Sequence, residues 1–172
     1  YTMKKPKLLW LNITVFTLTG LITLIGVPAY ALMHGFDGWQ IAAMVIGIAI
    51  CEISITAGYH RLWSHRAYDA HWLLRLAFAI GGTFATQNSI LHWASDHRRH
   101  HRYVDDHQKD PYSARRGFWY SHIGWMLRDY DSDHDSQYKN CRDLKEDPIV
   151  MWQHRYYMPL VLGLNFGIPI LL

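Results

Sequence analysis

Apolar positions along this chain are gathered into long blocks separated by polar, histidine-rich stretches. Residues 8–33 contain no charged side chain and residues 39–59 contain one, Glu52. A bilayer core of about 30 Å needs about 20 helical residues at 1.5 Å each, so each block predicts a transmembrane helix. The connection "HGFDG" at 34–38 is turn-forming and too short for anything but a tight hairpin. Residues 72–94 are apolar again, but Arg75, the Gly81–Gly82 pair and the run Thr86, Gln87, Asn88, Ser89 argue against a third span. They predict a helix lying beside the bilayer with its polar end facing a site.

The stretch 103–148 is polar, with turns expected at Asp110–Pro111 and Asp147–Pro148. Residues 117–127 return to an aromatic and apolar pattern suited to a membrane surface. From Ile149 the pattern is first amphipathic. Arg155 with Tyr156 and Tyr157 reads as an interfacial belt, and residues 156–172 as the start of a third transmembrane helix. An apolar helix ending without a polar flank, in a chain that opens on Tyr, leads us to expect a truncated fragment. The expected architecture is all-α and integral to the membrane: a transmembrane hairpin over 1–59, a cytoplasmic and interfacial helical cap over 60–155, and the third span begun at 156–172.

Charge adds an orientation. Lys4, Lys5 and Lys7 precede the first block and Arg61 and Arg66 follow the second, while the connecting turn has neither Lys nor Arg. By the positive-inside tendency, the N-terminus and everything after residue 60 face the cytoplasm. A cleaved signal peptide would carry a shorter apolar run and a small-residue cleavage site, and here a second span follows directly. The net charge of +3 is small and sits near membrane boundaries, which favours phosphate-bearing lipid or a phosphorylated carrier over nucleic acid. Cys51 and Cys141 fall in different environments, so no structural disulfide is expected, in keeping with a reducing compartment.

The chemistry lies in the histidines. His60 and His65 stand in "HRLWSH" after the second span, and His97, His100 and His101 in "HRRHH". At about 100° per residue on a helix, positions 97, 100 and 101 share a face about 100° wide, so three imidazoles can converge. The spacing from His60 to His65 advances a helix by about 140°. Convergence there requires the helix to end within the motif, or the two side chains to approach a metal pair from different sides. His34, His71, His107 and His134 read as ordinary surface or capping residues. His92, His122 and His154, near aromatic or boundary residues, are intermediate.

Neither cysteine lies near a cluster, imidazole-rich sites also suit iron and copper, and five histidines exceed one tetrahedral ion. A metal pair is therefore expected. No Glu-x-x-His occurs, which disfavours a carboxylate-bridged helix bundle. Arg98, Arg99 and Arg102 should turn away from bound metal, toward carboxylates, solvent or a substrate head group.

Four stretches, "TAGYHRLWSHRAYDAH" (56–71), "HWASDHRRHHRY" (92–103), "DPYSARRGFWYSHIGWML" (110–127) and "VMWQHRYYMP" (150–159), closely resemble the integral-membrane fatty-acyl desaturases of the stearoyl-CoA delta-9 type and their bacterial relatives. The resemblance implies a four-span fold in the intact protein and a centre of two iron ions that uses O2 to introduce a cis double bond. It implies a fatty acyl-CoA or acyl-lipid substrate, a ferredoxin or cytochrome b5-type electron donor, and a place in the bacterial inner membrane with the histidine boxes cytoplasmic. His60 and His65 match the first box and His97, His100 and His101 the second; a third box is expected beyond Leu172, so the chain as given is expected to be inactive or poorly metallated.

The resemblance further implies that Gln87, Asn88 and Trp93 line an acyl tunnel, an apolar slot with a few polar groups. Asp96 joins this substrate set, and Arg115 and Arg116 match a pair facing coenzyme A phosphates, for which guanidinium is suited. Ser95 stands where animal enzymes have Arg, which removes one phosphate contact and weakens the case for acyl-CoA over a glycerolipid. Two other readings remain: a hydroxylase or monooxygenase of the same histidine-box superfamily, and a fragment acting only as a metal- or lipid-binding module.

Overall fold

The computed structural model describes residues 6–130 and 138–171. Lys4, Lys5 and His134, named above, lie outside the described residues. Among the described residues, two helices are long and apolar enough to cross a membrane, Trp10–His34 with 25 residues and Gly38–Ser64 with 27. The chain has an all-α integral-membrane fold. The first of these helices comprises α1 (Trp10–Leu21), a π-helical turn at Ile22–Gly26 and α2 (Val27–His34). It ends at Gly35, whose φ of 73° is open to a residue without Cβ. The next helix starts on a reciprocal cap: the Gln40 amide donates to Asp37 Oδ1 at 2.7 Å and the Asp37 amide to Gln40 Oε1 at 3.1 Å. α3 (Gly38–Ile53) then runs without interruption into a π-helix, Ser54–Ser64.

The described residues fall into two compact units, one within 1–43 and 103–133, the other within 44–102 and 134–172. In the first, β1 (Lys7–Leu8) pairs antiparallel with β2 (Arg128–Asp129), Lys7 opposite Asp129. Asn12 ties the first long helix to the turn at Gly124–Met126 through Met126 O at 2.7 Å. The aromatic stretch forms α6 (Phe118–His122), in which Phe118 and Trp119 are exposed.

The second unit holds the core. α4 (Trp72–Phe84) and α5 (Ile90–Arg102) both pack against the π-helix Ser54–Ser64. Tyr59, Leu62, Trp63, Phe78, Ile90, Leu91 and Val150 are buried together, each worth roughly 1.5–3 kcal/mol of transfer free energy. Close approach of α4 depends on its glycines: a Cβ on Gly82 would run into the Tyr59 ring and one on Gly81 into the Ser54 side chain. The expected single helix over 72–94 is broken. Residues Thr86 and Asn88 take left-handed φ values of 56° and 70°, and Ser89 accepts the His92 amide at 3.3 Å, starting α5. The polar run thus divides two helices because its side chains and backbone hydrogen-bond locally instead of continuing the helical ladder.

Around this core lie α7 (Arg142–Lys145), α8 (Pro148–Arg155), α9 (Tyr157–Leu162), a π-helical turn at Gly163–Gly167 and α10 (Ile168–Leu171). The expected turn at Asp147–Pro148 is the N-terminus of α8, with Asp147 accepting the Ile149 and Val150 amides and proline at the first helical position. The Asp147 carboxylate also pairs with Arg75 and accepts the Trp63 indole N–H at 3.2 Å. Gln153 is fully buried and makes three hydrogen bonds. It accepts from the Ile90 amide at 3.0 Å and donates to Tyr59 Oη at 2.9 Å and Thr83 Oγ1 at 2.8 Å, joining α8 to the π-helix, α4 and α5.

Candidate metal centre

His60 lies in the last turn of the long helix and His65 just beyond it. The π-helical ladder solves their spacing. In a π-helix the backbone bond runs from residue i to i+5, so residues five apart stack along one face. The His65 amide donates to His60 O at 3.0 Å, and the two Nε2 atoms lie 3.0 Å apart. The helix thus ends within the motif, one of the two routes to convergence expected from sequence, and its π-type ladder supplies the geometry. His97 and His101 come from α5, one α-helical turn apart, with Nε2 atoms at 3.1 Å. His65 Nε2 is also 3.1 Å from His97 Nε2, so the two motifs meet.

One donor atom from each of His60, His65, His97 and His101 lies within 4.8 Å of all the others. His60 and His97 are half-buried, His65 and His101 exposed. His100, on the same helix, stands beside this group and outside it, its ring centroid 5.6 Å from that of His101 and 6.2 Å from that of His97. Helical projection places 97, 100 and 101 on one broad face; the neighbouring motif selects the i, i+4 pair.

Burial works against a positive charge on His97 and His65. Burial, followed by the charges His60, His101, His65 and His100 would carry, pushes His97 down to about 3. Burial lowers His65 as well, with His60, His101 and Arg98 adding to the effect. Neutral imidazoles present lone pairs. Two nitrogens roughly 2.1 Å from one ion stand roughly 3.0–3.4 Å apart, so separations of this size fit a shared metal ion. No carboxylate belongs to the group, and an all-nitrogen set suits zinc, copper or iron better than magnesium or calcium.

The Trp93 indole stacks on His97, centroids 4.7 Å apart, meets His60 edge-on at 6.2 Å, and donates to Gln87 Oε1 at 3.3 Å. Gln87, Trp93, His60 and His97 are therefore brought together. Asn88 has an exposed side chain and a pinned backbone, its amide donating to Tyr157 Oη at 2.9 Å and its carbonyl accepting from Tyr59 Oη at 3.4 Å. Asp96 is buried on α5 between His92 at 3.3 Å and Arg99 at 3.7 Å. Arg115 is exposed, whereas the Arg116 guanidinium lies over the Tyr120 and Tyr130 rings at 3.6 and 4.5 Å and donates to Tyr120 Oη. Both belong to the unit within 1–43 and 103–133.

Of the arginines in the second motif, Arg98 and Arg99 do meet carboxylates, Asp143 and Asp96. His92 and His154, intermediate by sequence, enter a polar network with Tyr138 and Ser89: Ser89 Oγ lies 2.7 Å from His154 Nδ1 and Tyr138 Oη 3.4 Å from His92 Nδ1. Sequence reasoning did not identify Asn140 and Asp143, which reach Arg98 from more than 40 residues away and belong to no recognisable motif.

Comparison with known proteins places this geometry in context. Residues 37–167 match the fatty acid desaturase family. The chain is 48% identical over 124 residues to acyl-CoA desaturase 1 of Saccharomyces cerevisiae, covering 72% of this chain and 24% of that protein. It is 42% identical over 173 residues to an acyl-CoA Delta12-desaturase of Acheta domesticus and 40% identical over 172 residues to stearoyl-CoA desaturase of Bos taurus. These alignments cover 96% and 97% of this chain and 46% of each relative. The chain thus spans about half the length of these relatives or less.

Proposed function

Because this chain belongs to the fatty acid desaturase family, we propose that it carries metal-binding histidine boxes of a membrane acyl desaturase. The reaction would introduce a cis double bond, at the delta-9 position, into a fatty acyl-CoA or acyl-lipid. The convergence of His60, His65, His97 and His101 from two separate motifs is the observation that carries this reading. These four would hold one iron ion, and His100 at their edge would contribute to a second. Iron bound there would supply the O2-dependent oxidation that removes two hydrogens from an unactivated chain, with two electrons from a ferredoxin or cytochrome b5-type donor and water as the reduced product.

The residues around the cluster have supporting work. Trp93 lays an apolar ring face against His97, and Gln87 holds the indole N–H and so orients that ring. Asn88 would present its exposed side chain to the acyl head end from a backbone held by Tyr59 and Tyr157. Arg115 is the member of the arginine pair that would meet a phosphate, of coenzyme A or a lipid head group, while Arg116 stiffens its own segment against Tyr120 and Tyr130. Basic residues before the first apolar run and after the second, with none in the turn between, favour a cytoplasmic face for the site.

The test is expression of the intact protein in a host that makes no unsaturated acyl chains, followed by fatty-acid and metal analysis. New cis-monounsaturated chains with iron in the purified protein are expected. Hydroxylated chains without a new double bond, or an active protein holding zinc alone, would overturn the reading.

A further inference from the structure

Arg98 sits inside the second histidine motif, next to His97, yet all its hydrogen bonds run away from the imidazoles. Nε donates to Ser64 O at 3.1 Å and Nη2 to Trp63 O at 2.8 Å. Nη1 and Nη2 form a fork on Asp143, at 2.7 Å to Oδ1 and 2.8 Å to Oδ2, and Nη1 also donates to Asn140 O at 2.8 Å. All five guanidinium N–H groups are thereby used. Trp63 and Ser64 are the last two residues of the π-helix, and the Ser64 carbonyl belongs to the peptide whose N–H is that of His65. That N–H is the one donated to His60.

The far side of the guanidinium is itself braced. Ser95 Oγ donates to Asn140 Oδ1 at 2.8 Å, and Asn140 Nδ2 returns a bond to Ser95 O at 2.8 Å. The segment 140–143 is therefore fastened to α5 at Ser95 and Arg98 together. Asp143 is held well below the usual carboxylate range, chiefly by its bonds to Arg98.

We propose that Arg98, oriented by Asp143 and Asn140, is the positioning residue that sets the first histidine motif against the second, fixing the His65-bearing peptide relative to His97. The proposal rests on the metal-centre reading above. A ligand set works only if its members are held to within about half an ångström, and neither exposed His65 nor the end of a helix supplies that rigidity alone. A lysine could not substitute, because a point ammonium cannot bond two carbonyls and both carboxylate oxygens in one plane.

The experiment uses the intact protein, with Co2+ as the probe metal. Affinity is measured by chelator competition, geometry by the visible ligand-field bands, and fold by the thermal midpoint of metal-free protein. Arg98→Lys is expected to weaken Co2+ binding about 10- to 100-fold and to alter the bands, with a smaller loss for Asp143→Asn. Arg75→Gln, which breaks a different ion pair, should lower the midpoint and leave Co2+ affinity unchanged. The charge swap Arg98→Asp with Asp143→Arg should not restore binding, because it cannot recreate the grip on the Trp63 and Ser64 carbonyls.

Wild-type affinity in folded Arg98→Lys, or recovery in the swap, overturns the proposal. If Arg98→Lys does not fold, Asp143→Asn decides: wild-type affinity there overturns it, and weakened affinity at an unchanged midpoint supports it. Failure of the unsubstituted protein to bind Co2+ or iron is a separate result, which defeats the metal-centre reading itself.

Discussion

The carbonyl of His60 accepts the amide proton of His65 at 3.0 Å, a backbone bond spanning five residues. In an α-helix that carbonyl would pair with Ser64, and His65 would project about 140° away from His60. The wider turn returns His65 to the face of His60, and the imidazoles meet at 3.0 Å. Stretches of π-helix are uncommon and recur at functional sites. This one extends over Ser54–Ser64 and brings His60 and His65 together at its end.

Membership of the four-histidine group separates the roles of the clustered residues. His60→Ala, His65→Ala, His97→Ala and His101→Ala should each lower iron affinity by at least about tenfold and abolish turnover. His100→Ala should also abolish turnover yet leave the ion held by the other four in place. Iron per polypeptide, read beside fatty-acid products, checks this; loss of all iron in His100→Ala would contradict it.

The depressed His97 titration makes metal-free protein acid-sensitive. Its value is about 3 in the fold against 6.5 for an ordinary histidine. Between these values the unfolded chain binds the proton and the folded one does not, so stability is intact above about 6.5 and falls as pH drops toward 3. Asp143, lowered by Arg98, loses its contribution only below the usual carboxylate range, beneath most of this window. The thermal midpoint in detergent should fall from about pH 7.5 to about pH 5, and His97→Gln should flatten that slope. Parallel slopes would count against it.

Gly82→Ala should be costly out of proportion to its size. The added methyl meets the buried Tyr59 ring, next to His60, so α4 or the π-helix must move. A loss of about 1–3 kcal/mol is expected, together with weaker iron binding. Gly20→Ala, where nothing lies within 4 Å, should leave both measurements unchanged.

Gln153→Leu tests the buried junction. It leaves the Ile90 amide, Tyr59 Oη and Thr83 Oγ1 without the Gln153 bonds they make inside the core. The expected cost is about 3 kcal/mol by chemical denaturation, with Gln153→Glu also destabilising because it buries a charge. A change below about 1 kcal/mol would show that water or repacking replaces the network.

Much of this was legible in the residues. Long apolar runs, interrupted only by Glu52 in the second, announce the two long helices because a bilayer filters for length and apolarity, both properties of the one-dimensional sequence. The two histidine motifs were equally plain, since such density of one residue type has few structural explanations. The break at Thr86–Asn88 is less legible: the polar run reads as the end of one helix, and a left-handed backbone at β-branched Thr86 is not signalled by its residue type.

What the sequence by itself determined is the membrane fold of helices and the donor type on offer: imidazoles, grouped in two motifs that flank an apolar helix. Tertiary structure decided which donors converge. A backbone ladder of π rather than α type turned His65 onto His60, and contact between that ladder and α5 brought His97 and His101 beside them. Arg98, Asn140 and Asp143 then hold that contact from positions far apart in the chain. The reason is physical: a residue's identity fixes what its atoms can bind, whereas separations of 3 Å between residues 60, 65 and 97 arise only when packing has fixed the backbone that carries them.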